Sequence, residues 1–145
     1  MKKYIYLYVI FFVLLGILFV GYKKLNKEVV KDSSIFYEAQ QQAKSNGQSF
    51  ILIDAPDWCK DCVALADLYR ANYGNTIGAT ISSLSGVRII LKSNNCDDNT
   101  SDVNQLLSKC NIKNVPSLII FNGDTFTVKT DIAEIAGALY SATQE

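Results

Sequence analysis

The chain has 145 residues, 49% of them hydrophobic, which is enough for one packed domain with a short appendage and too much for a disordered tract. It contains no histidine, which excludes Cys–His and Ser–His nucleophile schemes and every zinc site built on imidazole. Fourteen basic and fourteen acidic residues balance overall, but from Lys31 onward nine basic residues face thirteen acidic ones, and that net of −4 argues against a nucleic-acid-binding face.

The other five lysines, Lys2, Lys3, Lys23, Lys24 and Lys27, bracket a run of nineteen uncharged residues from Tyr4 to Tyr22. As a helix rising about 1.5 Å per residue, the run would reach about 28 Å, close to the hydrocarbon thickness of a bilayer. Tyr4, Tyr6 and Tyr22 stand near its ends, where aromatic belts form. A cleaved signal peptide competes with this reading, because Lys2-Lys3 suits an n-region, although no A-x-A-like site closes the run. The expected organisation is an N-terminal membrane anchor over residues 1–25, a polar tether over 26–33 and a folded domain over 34–145. Lysines on both sides of the span nearly cancel the positive-inside rule. The four cysteines favour placing the domain on the oxidising, extracytoplasmic (periplasmic) side, where disulfides persist.

After the tether, Ser34 is positioned to cap a helix from Ile35 to about Ser45, with Phe36, Ala39 and Ala43 on one face and Asn46-Gly47 ending it. Ser49 to Asp54 reads as a strand, and its apolar run Phe50–Ile53 is dense enough to be buried on both faces. A turn carrying Pro56 and Trp58 leads into a helix from Cys59 to about Tyr73, with Leu65, Leu68 and Tyr69 as its apolar stripe. Gly74-Asn75 stops that helix, and Thr76 to Ser85 is a weakly patterned connection. Val87 to Leu91 is expected to be a β-branched central strand. A polar loop holding Cys96 runs from Asn94 to Thr100. A helix follows from about Ser101 to Cys110, with Asp102 and Gln105 fitting a capping pattern. Val115-Pro116 precedes a strand from Ser117 to Asn122, and Asn122-Gly123 predicts a hairpin to a partner strand from Thr125 to Lys129. Asp131, with Glu134 three residues on, caps a last helix from Ile132 to about Ser141. This order implies one mixed sheet with helices on both faces.

Cys59 and Cys62 carry the chemistry. Their spacing puts the first sulfur at the opening turn of a helix, where unpaired N–H groups and the macrodipole favour a thiolate. The second sulfur lies one helical turn on, within disulfide reach, and a C-x-x-C beside a βαβ pattern reads as a redox motif.

Trp58-Cys59-Lys60-Asp61-Cys62 resembles the W-C-x-x-C of the thioredoxin superfamily. Val115-Pro116-Ser117-Leu118-Ile119-Ile120-Phe121 resembles that fold's second hallmark, a cis-proline opening a strand. The resemblance covers about Ile35 to Tyr140. Within the superfamily the stretch from Val87 to Phe121 is most similar to the periplasmic C-terminal domain of the thiol:disulfide interchange protein DsbD. The resemblance implies an α/β thioredoxin-like fold and a thiol–disulfide oxidoreductase in which Cys59 attacks and Cys62 resolves. Trp58 would form an apolar wall beside the sulfur, and Pro116 in cis would expose the backbone at Val115 to a substrate segment. Partners would be disulfide-containing proteins and an upstream membrane or thioredoxin-type electron donor. With no nucleotide or flavin motif in the chain, no cofactor is expected.

Two departures stand out. Thioredoxins usually bury an acid six residues before the first cysteine, where this chain has Ile53; Asp54 follows it. Lys60-Asp61 replaces the common Gly-Pro, with Lys60 favouring a Cys59 thiolate and Asp61 opposing it. Cys96 and Cys110, fourteen positions apart, admit a structural disulfide, free buried thiols or a relay to the first pair. A zinc site using all four cysteines fits poorly, because Cys96 and Cys110 do not form a knuckle. A non-enzymatic binding module with a static disulfide is the alternative from another class.

Overall fold

The computed structural model describes residues 33–145, the second of the two units into which the chain divides. The expected anchor and all of the tether except Ser33 lie outside the described residues. Among the described residues no helix is long and apolar enough to cross a membrane.

Four strands, β1 (Ser49–Asp54), β2 (Val87–Ile90), β3 (Ser117–Asn122) and β4 (Thr125–Lys129), form one sheet in the order β2-β1-β3-β4. β2 runs parallel to β1, with Ile53 opposite Ile89. β3 is antiparallel to β1, with Ile51 opposite Ile119, and the Asn122–Thr125 hairpin returns β4 antiparallel to β3. The helices are α1 (Ser34–Asn46), α2 (Lys60–Tyr73), α3 (Ile77–Ser83), α4 (Ser101–Lys109) and α5 (Ile132–Ala142).

All of β1 and all of β3 but Asn122 are buried, because the two central strands are covered on both faces. Side chains of a strand alternate between faces, and the core divides accordingly. Ile51, Ile53, Ile119 and Phe121 pack with Phe36, Ala39 and Ala43 of α1 and Leu106 of α4. Phe50, Leu52, Leu118 and Ile120 pack with Leu65 and Tyr69 of α2, Ile77 and Ile81 of α3, and Ile135 and Leu139 of α5. Phe36 meets the rings of Phe121 and Phe126 edge-on at 5.1 and 5.6 Å, while Tyr73 stacks on Tyr140 at 4.3 Å. The result is the α/β arrangement anticipated from the sequence, one mixed sheet flanked by helices.

Several local expectations are corrected. The run Val87–Leu91 is an edge strand, not a central one: β2 has only β1 beside it, and Val87 and Ile90 remain exposed. The connection after Gly74 contains α3, capped by the Thr76 hydroxyl, which accepts from Ala79 N at 3.2 Å. At its end Gly86 lies so close to the Phe50 carbonyl that a Cβ would sit 3.0 Å from that oxygen. Helix α1 is capped by Ser33 rather than Ser34, and α4 by Thr100 rather than Asp102. Asp102 instead reaches across to α1, accepting from Ser34 N and Ser34 Oγ at 2.7 Å each and from Ile35 N at 3.3 Å. One carboxylate thereby satisfies open amides at the start of a helix 67 and 68 positions away.

Candidate active site

β1 ends at Asp54, and the chain turns tightly before α2. Trp58 N and Cys59 N both donate to the Ala55 carbonyl, at 3.2 and 2.8 Å. This turn makes Cys59 the N-cap of α2, with extended backbone, and its sulfur accepts from Cys62 N at 3.0 Å. A helix end leaves its first amides unpaired, so Cys59 Sγ occupies the place a serine or aspartate oxygen takes in an ordinary cap. The sequence placed Cys59 as the first residue of the helix; the cap position lies one step earlier and aims an amide at the sulfur.

Cys59 and Cys62 are joined as a disulfide, with Cα atoms 5.3 Å apart. Cys62 is the deeper of the two, 3% exposed against 8% for Cys59, and its sulfur accepts from Ala55 N at 3.3 Å. Cys59 Sγ lies 3.4 Å from the Val115 carbonyl oxygen. The Val115–Pro116 peptide bond is cis, as the resemblance implied, and the pairing of Ser117 with Ile53 sets the segment before β3 beside the end of β1. Residues 56 positions apart in the chain thus meet at one sulfur.

Trp58, half-buried, packs against the cluster that holds both cysteines and donates from Nε1 to the Leu91 carbonyl at 3.3 Å. Leu91 N in turn donates to the Asp54 carbonyl at 2.9 Å, so the end of β2 and the indole are held to the same corner. Beside the disulfide lies a groove of about 700 Å³ whose lining includes Trp58, Asp61, Lys113, Val115 and Pro116. Lys60 and Asp61 are both exposed, and Asp61 borders the groove.

Asp54 belongs elsewhere. By the alternation along β1 it points to the face opposite Ile51, Ile53 and the cysteines. Its two carboxylate oxygens accept from Arg88 Nε at 3.2 Å and Nη2 at 2.7 Å, and hydrogen bonding to Asp54 raises the Arg88 pKa. The turn between Asp54 and Cys59 therefore does not bring this acid to Cys62. Arg88 escaped the sequence reading because only the parallel register of β1 and β2 puts it within reach.

Cys110 is separate from the pair. Cys96 opens a single 3-10 turn, Cys96–Asp98. Cys110 ends α4 as a free, buried thiol, so in this structure it takes no part in the structural disulfide raised by the sequence. Burial pushes its pKa up to about 11, with Lys109 opposing. A thiol held neutral in this way is a poor nucleophile at ordinary pH. Among the described residues no group of three or more Cys, Asp or Glu side chains is placed to hold a metal.

Sequence reasoning missed Lys113 and Leu91 as parts of the site. Lys113 had one available signal, its position three residues before Pro116; Leu91 acts through its backbone and had none.

No protein-family model and no curated protein matches the chain. Among solved structures it is similar to oxidised thioredoxin O1 from Arabidopsis thaliana, at 19% identity and a TM-score of 0.46, covering 77% of this chain and 93% of that one. It is also similar to oxidised thioredoxin from Plasmodium falciparum, at 15% identity and a TM-score of 0.43, covering 77% and 93%. The Malassezia sympodialis thioredoxin Mala s 13 is similar at 13% identity and a TM-score of 0.45, covering 72% and 82%.

Proposed function

We propose that this chain is a membrane-anchored thiol–disulfide oxidoreductase that reduces protein disulfides outside the cytoplasm through the Cys59/Cys62 dithiol. The observation that carries the chemistry is the Cys59–Cys62 bond at a helix N-terminus, beside the Val115 carbonyl and a groove that a polypeptide could enter.

In the reduced domain Cys59 is the nucleophile, because it is the less buried sulfur and the Cys62 amide stabilises its thiolate. Its attack on a client disulfide forms a Cys59–client mixed disulfide and releases one client thiolate, which takes up a proton. Cys62, after losing its proton, attacks Cys59 Sγ, closes the intramolecular disulfide and releases the second client thiolate. Two electrons pass from the domain to the client, and a dithiol donor must return them. Trp58 excludes water on one side of the reacting sulfur. The Ala55 amide stabilises negative charge on Cys62.

Reduction is favoured over oxidation by the resemblance to the DsbD domain and by Lys60-Asp61, which is unlike the C-P-H-C of strong oxidants. The membrane and extracytoplasmic assignments rest on the Tyr4–Tyr22 run and on the cysteine content. The purified chain, reduced and mixed with a disulfide-bonded protein, should reduce it. Cys59→Ser should abolish turnover, and Cys62→Ser should accumulate the mixed disulfide. Turnover that survives Cys59→Ser would refute the mechanism. A pair that stays oxidised in cells and never captures a client would instead make the domain a static module.

A further inference from the structure

The groove beside the disulfide carries an unpaired charge of each sign. Asp61 enters it from the first turn of α2, and Lys113 from the segment before Pro116. Both are exposed, and among the described residues neither has an ion-pair or hydrogen-bond partner. Elsewhere in the domain opposite charges pair directly, as in Lys44–Asp124, Arg88–Asp54 and Lys129–Glu134, whereas these two face one groove without pairing. The lining of the same groove is partly apolar, with Trp58, Leu107, Ile112 and Pro116.

We infer that Asp61 and Lys113 select the client: the groove takes an extended polypeptide segment whose disulfide cysteine has a basic side chain on one side and an acidic one on the other. The inference rests on the oxidoreductase reading. A client lying in the groove strips water from both charges. An opposite charge on the client compensates that loss, whereas a like charge or an apolar side chain leaves it uncompensated. The volume of about 700 Å³ exceeds what a disulfide alone occupies and suits a segment of several side chains. The apolar lining suits the aliphatic stem of a lysine or arginine whose head reaches Asp61.

The test uses the purified, reduced chain and peptide disulfides of one length. Their cysteine is flanked by Lys and Glu (in both orders), by two Lys, by two Glu or by neutral residues, and glutathione disulfide serves as a small competitor. Each kcat/KM is divided by that for the neutral peptide with the same variant, so altered Cys59 reactivity cancels. The better Lys/Glu order should exceed the neutral peptide by about three- to tenfold at low salt, and 0.5 M salt should shrink the preference. Lys113→Glu should shift preference to the two-Lys peptide, and Asp61→Lys to the two-Glu peptide. Ratios within twofold of one another in the wild-type chain, ratios unmoved by both reversals, or faster turnover of glutathione disulfide than of every peptide would overturn the inference while leaving the oxidoreductase reading intact. Absence of turnover with every disulfide would remove that reading and the inference with it.

Discussion

Replacing Arg88 by Met should destabilise the domain by about 2–3 kcal/mol. The Asp54 side chain is only 7% exposed, and both of its oxygens are held by the Arg88 guanidinium, whose own side chain is 33% exposed. Removing one member of a buried pair typically costs about 3–5 kcal/mol, because the remaining charge stays buried without compensation. The partial exposure of Arg88 lets water reach Asp54 once the guanidinium is gone, which lowers the cost to the stated range. For a domain of this size that loss corresponds to a fall in Tm of about 10 °C. Urea unfolding of the purified chain measures the difference, and the double variant Asp54→Leu/Arg88→Met should regain at least half of it. A loss below about 0.5 kcal/mol for Arg88→Met, or strictly additive losses in the double variant, would refute this account of the pair. The same geometry predicts that Asp54→Asn leaves the pH dependence of mixed-disulfide resolution in place, since the carboxylate faces away from Cys62. A displaced profile would make Asp54 the proton acceptor for Cys62.

Other outcomes can be checked on the same protein. Burial pushes the Cys110 pKa up to about 11, so about one thiol in a thousand is ionised at pH 8. Peptide mapping after brief alkylation should find Cys110 unmodified in the folded chain and modified in urea, whereas rapid labelling of the folded protein would contradict its burial. For Asp102, burial pushes the pKa up, but hydrogen bonds from Ser34, Ser33 and the Ser34 and Ile35 amides outweigh it and leave the pKa lowered. The stability this carboxylate contributes is therefore present above its unfolded value of about 3.9 and lost as pH falls through the folded value. Asp102→Ala should cost about 0.5–2 kcal/mol at neutral pH, and the gap from wild type should narrow in acid; a gap that widens in acid would reverse the sign. Trp58→Phe keeps an apolar wall but loses the bond to the Leu91 carbonyl, for about 1 kcal/mol of stability by denaturant titration.

The sequence alone determined most features whose causes lie within a few residues. The bounds of β1, β3 and β4 follow from dense apolar runs, from Pro116 and from the turn at Gly123. The cap at Asp131 follows from its own side chain, which accepts from Ala133 N and Glu134 N. The C-x-x-C spacing likewise placed Cys59 and Cys62 on adjacent turns at a helix start, because a sulfur three positions on is a neighbour in any helix. Tertiary structure decided whatever depends on which strands lie side by side. β-branched residues suit an edge as well as a centre, so composition could not make β2 the edge strand; the sheet order did. Asp102 fits a capping pattern for its own helix, yet α1 lies near enough to offer it amides from 67 and 68 positions away. Asp54 lies one residue beyond the place expected for a proton acceptor, and in a strand one residue reverses the face. That single step turned the carboxylate from the sulfurs to Arg88.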